Sequence, residues 1–395
     1  MKQISKTILA AVATVALAAP AFAWDFSASG SSEATYKRST TNSGASGEKD
    51  AVTNEYSSIA GGVTISSSHT DGPNSATFSY TADWNGDAGN FDEYVKVSGT
   101  KKVGNWTASS STTQHMQKDV YPTTSASTPN SAHPMQANNS AAITLTDGSI
   151  TYTLGDAAHL STAEKTVNGP MSGQVDSEAR VDSFEGFSVG LSVGPGTLTV
   201  AIDENDDSDV FGDRSLTIAC GGDNMGYGVN FAGDVGVELS VTYAMGSGTA
   251  AADACTGDNS SDSANASTLG VGVKVPFGGM ALAIDFESTA WDSTTGTTGT
   301  NVETKDTLSG SEVSFTMPVG DATVGVNVSS QEALTNVAGT DTSKTSTSGV
   351  EAWYTTAIGP VTLSAGYGSS DITTGVSATT TATTTQMGAT MSMSF

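Results

Sequence analysis

Apolar and small polar residues alternate along most of the chain with a period of two. The clearest apolar series fall within 76–84, 235–243, 269–275, 280–286, 322–328, 361–367 and 387–395. A period of two places successive side chains on opposite faces of a β-strand, so each of these segments has one apolar and one polar face. No stretch beyond the first 23 residues sustains the period of a helix. The pattern therefore predicts an all-β fold.

Residues 1–23 have the features of a secretory signal peptide. Lys2 and Lys6 form a positive start, positions 8–19 are apolar, and Ala21-Phe22-Ala23 is an A-x-A cleavage site. We expect the mature chain, 24–395, to begin at Trp24. No later apolar run approaches the roughly 18 residues of a membrane-spanning helix, so a membrane location would require a closed β-barrel.

Connections between the alternating segments are short and long in turn. Short ones such as Asp147-Gly148, Gly278-Gly279 and Gly320-Asp321 favour tight hairpins. Long ones, rich in Ser, Thr, Asn, Asp and Gly, are expected at 38–52, 117–138, 156–180, 204–224, 246–267, 290–309, 331–347 and 370–384. Strands of about 9–11 residues cross a bilayer when tilted. We therefore predict a transmembrane antiparallel β-barrel of 16–18 strands, with long extracellular loops and short periplasmic turns.

The chain is strongly acidic, yet charged residues are scarce in it. It has 15 Lys and Arg against 41 Asp and Glu, and charged residues are only 14% of the total. Loss of two lysines with the signal peptide makes the net charge 13 − 41 = −28. Nucleic-acid binding through a basic face is excluded as a function class.

Enzymatic motifs are absent or accidental. The segment Gly190-Leu-Ser-Val-Gly194 fits the G-x-S-x-G pattern of a nucleophile elbow. That motif requires a strand–turn–helix context, whereas Ser192 lies on the polar face of a predicted strand. We expect no enzyme.

The whole mature chain resembles the Gram-negative general diffusion porins. The resemblance rests on the signal peptide, the terminal Phe395 with its alternating strand, and the segment 141–156, which ends in Leu-Gly-Asp. It implies a water-filled outer-membrane channel for passive diffusion of small hydrophilic solutes, with no required cofactor. It also implies contact with outer-membrane lipid, assembly as a homotrimer, a periplasmic N-terminus and a membrane-insertion signal at Phe395.

The same resemblance makes 156–180 an inward-folded loop that constricts the pore. Its charged residues would be Asp156, Glu164, Lys165, Asp176, Glu178 and Arg180. In the family this loop follows the fifth strand, but seven segments precede residue 156 in this chain. Either two early segments do not span the membrane, or the barrel is enlarged.

If the apolar parity of each strand faces lipid, the opposite parity lines the pore. That assigns to the lumen the acids Glu33, Asp83, Glu238, Asp285, Glu287, Glu312 and Glu351 and the bases Lys37, Lys96 and Lys274. A pore with excess acids concentrates cations. We therefore predict a cation preference.

Two further features fall in long connections. An acidic run contains Asp203, Asp206, Asp207, Asp209 and Asp213. It is either a solvated extracellular loop or a Ca²⁺ site, although Ser208 and Arg214 occupy two key positions of an EF-hand pattern. Cys220 and Cys255 would lie in consecutive extracellular loops after export, where they are either disulfide-bonded or free thiols.

Two alternative functions fit parts of the sequence. The Ser/Thr/Gly-rich acidic composition would suit a secreted or surface-attached adhesin, but such solenoids have regular repeats of 20–50 residues, and the loops here differ widely in length. A barrel specialised for one substrate class would have an aromatic track in its channel. Trp353 is the only clear tryptophan at lumen parity.

Overall fold

A computed structural model describes residues 24–44, 52–85, 90–115, 140–157, 159–160, 163–170, 184–203, 224–249, 263–297, 300–377 and 379–395. The predicted signal peptide lies outside these residues, as do Asp176, Glu178, Arg180, both cysteines and most of the acidic run at 203–213. No helix within the described ranges is long and apolar enough to cross a membrane.

The described residues form eighteen β-strands. The first nine are β1 Asp25–Asn42, β2 Val52–Asp71, β3 Asn74–Asn85, β4 Asn90–Val103, β5 Trp106–His115, β6 Ser140–Thr146, β7 Ile150–Ala157, β8 Phe184–Val193 and β9 Gly196–Asp203. The other nine are β10 Asn224–Asp234, β11 Glu238–Thr249, β12 Ser263–Phe277, β13 Met280–Thr297, β14 Thr300–Val319, β15 Ala322–Val337, β16 Thr340–Ile358, β17 Val361–Thr374 and β18 Thr380–Ser394.

The strands form a single sheet in chain order, and β1 pairs with both β2 and β18. The fold is therefore a closed antiparallel β-barrel of eighteen strands, the larger of the two predicted numbers. Seven strands precede the segment that begins at His159. The departure from the family pattern thus reflects an enlarged barrel, since all of the early segments, including those in β4 and β5, lie in strands.

The strands extend further than their apolar pattern indicates. The predicted long connections at 290–309 and 331–347 consist largely of paired strand. In the first, β13 pairs with β14 up to Thr297 and Thr300. In the second, β15 pairs with β16 up to Val337 and Thr340. The latter hairpin closes through Ala338 and Gly339, both with positive φ. Those two expectations were wrong because Ser- and Thr-rich strands that are polar on both faces carry no apolar alternation.

Residue contacts divide the chain into two compact units. The first comprises Met1–Glu33, Ser58–Asp147 and Met393–Phe395, and the second comprises Ala34–Ser57 and Gly148–Ser392. The second unit has an inverted distribution of polarity. On β13, Ile284 and Phe286 are each 46% exposed. The residues that alternate with them, Asp285 and Glu287, are 4% and 1% exposed. This is the opposite of a water-soluble protein, and it is what a barrel facing lipid requires.

The apolar outer residues of the second unit form a limited band. On β13–β17 they lie at the end of each strand next to the short turns, within 280–286, 313–319, 324–328, 350–358 and 361–367. Beyond this band the outward positions are occupied by Ser288, Ser311, Ser330, Ser348 and Ser369. The band is thus seven to nine residues long on most of these strands, while the hydrogen-bonded ladder continues past it.

The C-terminal residue joins β1 in the first unit. Gly30 N–H donates to the Phe395 carbonyl at 2.7 Å, and Phe395 N–H donates back to the Gly30 carbonyl at 2.9 Å. The Phe395 ring covers Gly30, so a β-carbon built at Gly30 would lie 2.6 Å from Phe395 Cε2 and 3.1 Å from the Gly62 carbonyl oxygen. Glycine therefore provides the space in which this ring packs.

We expect Gly30→Ala to weaken this junction, because the added methyl group overlaps the Phe395 ring. Phe395 is 66% exposed and its ring can shift in part, so we expect a loss below the roughly 1–3 kcal/mol of overpacking in a closed core. Thermal unfolding of the refolded protein measures the change. Gly99→Ala is the matched control, since its β-carbon would meet only the Ser75 carbonyl oxygen at 3.4 Å. Equal unfolding temperatures for the two variants would contradict the assignment.

Candidate functional site

Four of the predicted lining acids are buried at inward positions on neighbouring strands of the second unit. They are Asp285 and Glu287 on β13, Glu312 on β14 and Glu351 on β16, and each is at most 7% exposed. Asp285 stands directly opposite Glu312 in the β13–β14 register. Parity brings these residues to one face, because odd positions of β13 and β16 and even positions of β14 point the same way. We call these four residues the acidic wall.

A segment between β7 and β8 covers the acidic wall. Its described residues 163–170, which we call the strap, have no strand or helix pairing of their own. Four of their backbone N–H groups, at 165, 166, 167 and 169, donate to side chains of the strands instead. Val167 N–H donates to Ser314 Oγ at 2.9 Å, and Gly169 N–H donates to Glu351 Oε2 at 3.0 Å.

Asp285 makes the most extensive of these contacts. Lys165 N–H lies 2.9 Å from both carboxylate oxygens, Thr166 N–H donates to Oδ2 at 2.7 Å, and Thr166 Oγ1 donates to the same oxygen at 2.6 Å. Hydrogen bonds to an ionised group contribute about 1.5–3 kcal/mol each. The N–H and O–H donors of the strap thus replace the water that the buried Asp285 carboxylate has lost. The same hydrogen bonds fix the strap to β13.

The other wall acids are also hydrogen-bonded. Asn327 on β15 donates from Nδ2 to Glu312 Oε1 and to Asn168 Oδ1 of the strap. Gln331 Nε2 donates to Glu287 Oε1 at 3.4 Å. Each acid of the wall therefore accepts at least one hydrogen bond from a neighbouring strand or from the strap.

The chain leading into the strap is fixed by His159. Its Nε2 donates to the Gly155 carbonyl at 2.7 Å, which leaves Nδ1 to interact with Ser188 Oγ at 2.8 Å. His159 is 5% exposed. The sequence pattern did not predict this contact, because His159 lies outside every segment in which apolar and polar residues alternate.

Trp353 does not provide an exposed aromatic track. It is 6% exposed, and its indole lies over Gly325 of the adjacent strand. A β-carbon built on Gly169 of the strap would lie 2.8 Å from Trp353 Cδ2. The indole is therefore packed between the strand and the strap.

The remaining predicted lining residues lie elsewhere on the strands. Glu238 and Lys274 face each other across β11 and β12 and form an ion pair at 3.1 Å. Glu33 and Lys96 are exposed, while Lys37 and Asp83 are half-buried. In the strap, Glu164 and Lys165 are half-buried, and the backbone of Asp156 belongs to β7.

The predicted calcium and disulfide residues are not brought together by anything the structure describes. Asp203 ends β9, and the other four aspartates and both cysteines fall outside the described ranges. Within those ranges no group of three or more His, Cys, Asp or Glu side chains is arranged to hold a metal ion.

We expect Asp285→Asn to loosen the strap. The amide NH₂ group would face the N–H donors of Lys165 and Thr166, and a buried polar group left unmatched costs about 1–3 kcal/mol. Amide hydrogen exchange of residues 163–170 should accelerate. Asp292→Asn, on the outward, exposed part of the same strand, should leave that exchange unchanged. Unaltered exchange in the Asp285 variant would disprove the anchoring role.

Comparisons with known proteins agree with this architecture. The sequence profile of the Gram-negative porin family matches residues 6–350. Among solved structures, the outer-membrane channel DcaP of Acinetobacter baumannii is 9% identical, with 94% of this chain and 97% of that chain covered and a TM-score of 0.51.

Two further solved outer-membrane structures are similar at lower scores. The anion-selective porin from Comamonas acidovorans is 14% identical with a TM-score of 0.42, and the trimer form of OmpT from Vibrio cholerae is 8% identical with a TM-score of 0.42. Each match covers 94% of this chain and all of the other. No curated protein sequence matches the chain. The chain belongs to the Gram-negative porin family of non-enzymatic channels, and it forms a diffusion channel in the outer membrane.

Proposed function

We propose that this porin is a passive channel for small hydrophilic solutes that prefers cations, with the 156–180 loop as its constriction. The observation that carries the proposal is the acidic wall beneath the strap. Membership of the porin family replaces the adhesin interpretation. The packing of Trp353 gives no support to a channel specialised through aromatic contacts.

The charges of the ten predicted lining residues support the sign of the selectivity. Seven acids and three bases leave a net charge of 3 − 7 = −4. Glu238 is paired with Lys274, and Glu33 and Asp83 balance Lys37 and Lys96 in number. The excess therefore equals the four acids of the wall. Glu164 and Lys165 of the strap cancel each other.

Burial strengthens the effect of these charges. A charge surrounded by protein and hydrocarbon is screened less than one in water, so its field extends further into an adjoining aqueous space. The strap donors hold the carboxylates in place, and the acidic wall provides a fixed negative field. Cations are enriched near such a surface and anions are depleted.

The assembly and processing of the chain are part of the same proposal. We infer cleavage after Ala23 from the A-x-A site, and the family resemblance supports a periplasmic N-terminus, membrane insertion directed by Phe395 and a homotrimer. A Ca²⁺ ion at 203–213 and a disulfide between Cys220 and Cys255 stay predictions from the sequence.

We expect Glu312→Gln to reduce the cation preference while keeping the fold, because the Gln Oε1 can still accept from Asn327. The measurement is the reversal potential across a planar bilayer that separates two KCl concentrations. The potential should move toward zero. Wild-type protein that favours chloride would contradict the cation preference.

Glu303→Gln on the same strand is the matched control for Glu312→Gln. It also removes one negative charge, but Glu303 is exposed, pairs with Lys305 at 3.0 Å and lies nine residues from Glu312. That separation is about 30 Å along a strand at roughly 3.4 Å per residue. Its reversal potential should equal that of the wild type. A matching shift in both variants would show that general surface charge, rather than the wall, sets the selectivity.

We expect the detergent-solubilised, refolded porin to have the mass of three chains. Native mass spectrometry distinguishes this from a monomer, and heating should convert the larger species to single chains. A monomeric mass under conditions that preserve channel conductance would overturn the trimer and leave the diffusion function intact.

A further inference from the structure

The strap lies over glycines of the inner wall, and their missing side chains provide the space it occupies. Gly228 on β10 and Gly272 on β12 are both buried and lie at inward positions. We propose that these two glycines are positioning residues that set how closely the strap segment lies against the wall, and thereby the conductance of the channel. The proposal rests on the constriction role given above.

Gly228 receives the side chain of Leu160. A β-carbon built at Gly228 would overlap Leu160 Cδ1 and lie 3.2 Å from Leu160 Cγ. Leu160 is 4% exposed, so its side chain fills this space. Any side chain at 228 would displace the leucine, and with it the chain that leads into the strap.

Gly272 receives the strap backbone itself. A β-carbon there would overlap the Ala163 carbonyl oxygen and lie 2.9 Å from its carbon. It would also lie 2.6 Å from Asp285 Oδ1, the oxygen that accepts from Lys165 N–H. A methyl group at 272 therefore competes with the strap for space and disturbs its main anchor at once.

A third contact fixes the far end of the strap. Trp353 lies over Gly325, and Gly169 meets the outer side of the indole at a place where a β-carbon would lie 2.8 Å from Trp353 Cδ2. At this point the Trp353 indole projects from the wall, and the strap residue that faces it is a glycine. The chain is thus fitted to the wall at Leu160, Ala163 and Gly169, in addition to the strap hydrogen bonds at 165, 166, 167 and 169.

The hydrogen bonds and the glycine contacts have different consequences. The donors hold the strap on the wall, and the glycines leave the space that lets it lie close to the wall; at Gly272 the two effects meet in Asp285. Because strap and wall are close-packed at these points, an added methyl group moves the strap toward the channel. A thicker obstruction lowers the conductance.

The test uses Gly228→Ala and Gly272→Ala in the full-length refolded porin. Both should lower the single-channel conductance relative to wild type and accelerate amide exchange of residues 163–170. Gly190→Ala is the control: it is also an inward, buried glycine, but its β-carbon would meet its nearest atoms at 3.5–3.7 Å. It should match the wild type in both measurements.

A double variant tests the Leu160 contact directly. Leu160→Ala removes the methyl groups that Gly228→Ala would meet, so Gly228→Ala combined with Leu160→Ala should regain most of the lost conductance. Leu160→Ala alone shows whether loss of that side chain has an effect of its own. If Gly228→Ala prevents folding, recovery of folded, conducting protein in the double variant supports the contact, and failure of both opposes it.

The results separate this proposal from the proposed function. Wild-type conductance and reversal potential test the channel and its selectivity without any variant. Unchanged conductance and strap exchange in folded Gly228→Ala and Gly272→Ala, or an equal loss in Gly190→Ala, would overturn the positioning role. Faster amide exchange in the strap with unchanged conductance would support the packing contacts of the two glycines but overturn their effect on conductance.

Discussion

The need to pair every backbone N–H and C=O group inside a bilayer determines the rest of this structure. Hydrocarbon offers no hydrogen-bond partners, so a chain that crosses the bilayer with strands satisfies its backbone only by closing those strands on themselves. Closure fixes an inside and an outside, and the pleat then assigns alternate side chains to each. Exposed Ile284 and Phe286 beside buried Asp285 and Glu287 are the direct result. The same alternation creates a polar interior surface on which a further segment can be held.

The strap meets the same requirement in a different way. It has no ladder, so the N–H groups at 165, 166, 167 and 169 depend on side-chain oxygens of the wall. Two wall carboxylates therefore have two roles: they satisfy the strap backbone, and they contribute negative charge to the interior. Because one group serves both purposes, anchoring and electrostatics cannot be varied independently at Asp285. Glu312 offers a partial separation, since its described hydrogen bond comes from Asn327 of the adjacent strand.

The alternation was sufficient to predict the barrel, the parity of each strand and the acids of the wall. It failed at strand ends, where polar residues on both faces hide continued pairing at 290–309 and 331–347. It also could not indicate burial of the wall, because the strap contacts join residues 119–182 positions apart in sequence. The glycines carried no such signal: Gly228 and Gly272 share their inward parity with Gly226 and Gly270, and only the packing of Leu160 and Ala163 reveals their role. The aromatic Trp353 was assigned to the correct parity, but only three-dimensional packing shows that it is covered.

The long ladders of the second unit also bear on how the protein withstands the outside of a cell. Proteases bind their substrates as extended chain with free backbone groups, and loop tips are their usual points of entry. The β15–β16 hairpin is paired up to Val337 and Thr340, apart from a bulge at Thr342, so little of its backbone outside the short turn is unpaired. Sequence rich in Ser and Thr would look open to digestion, yet in this hairpin most of it is hydrogen-bonded to a neighbouring strand. A hairpin whose backbone is hydrogen-bonded as strand therefore resists proteolysis even though it has no hydrophobic core of its own.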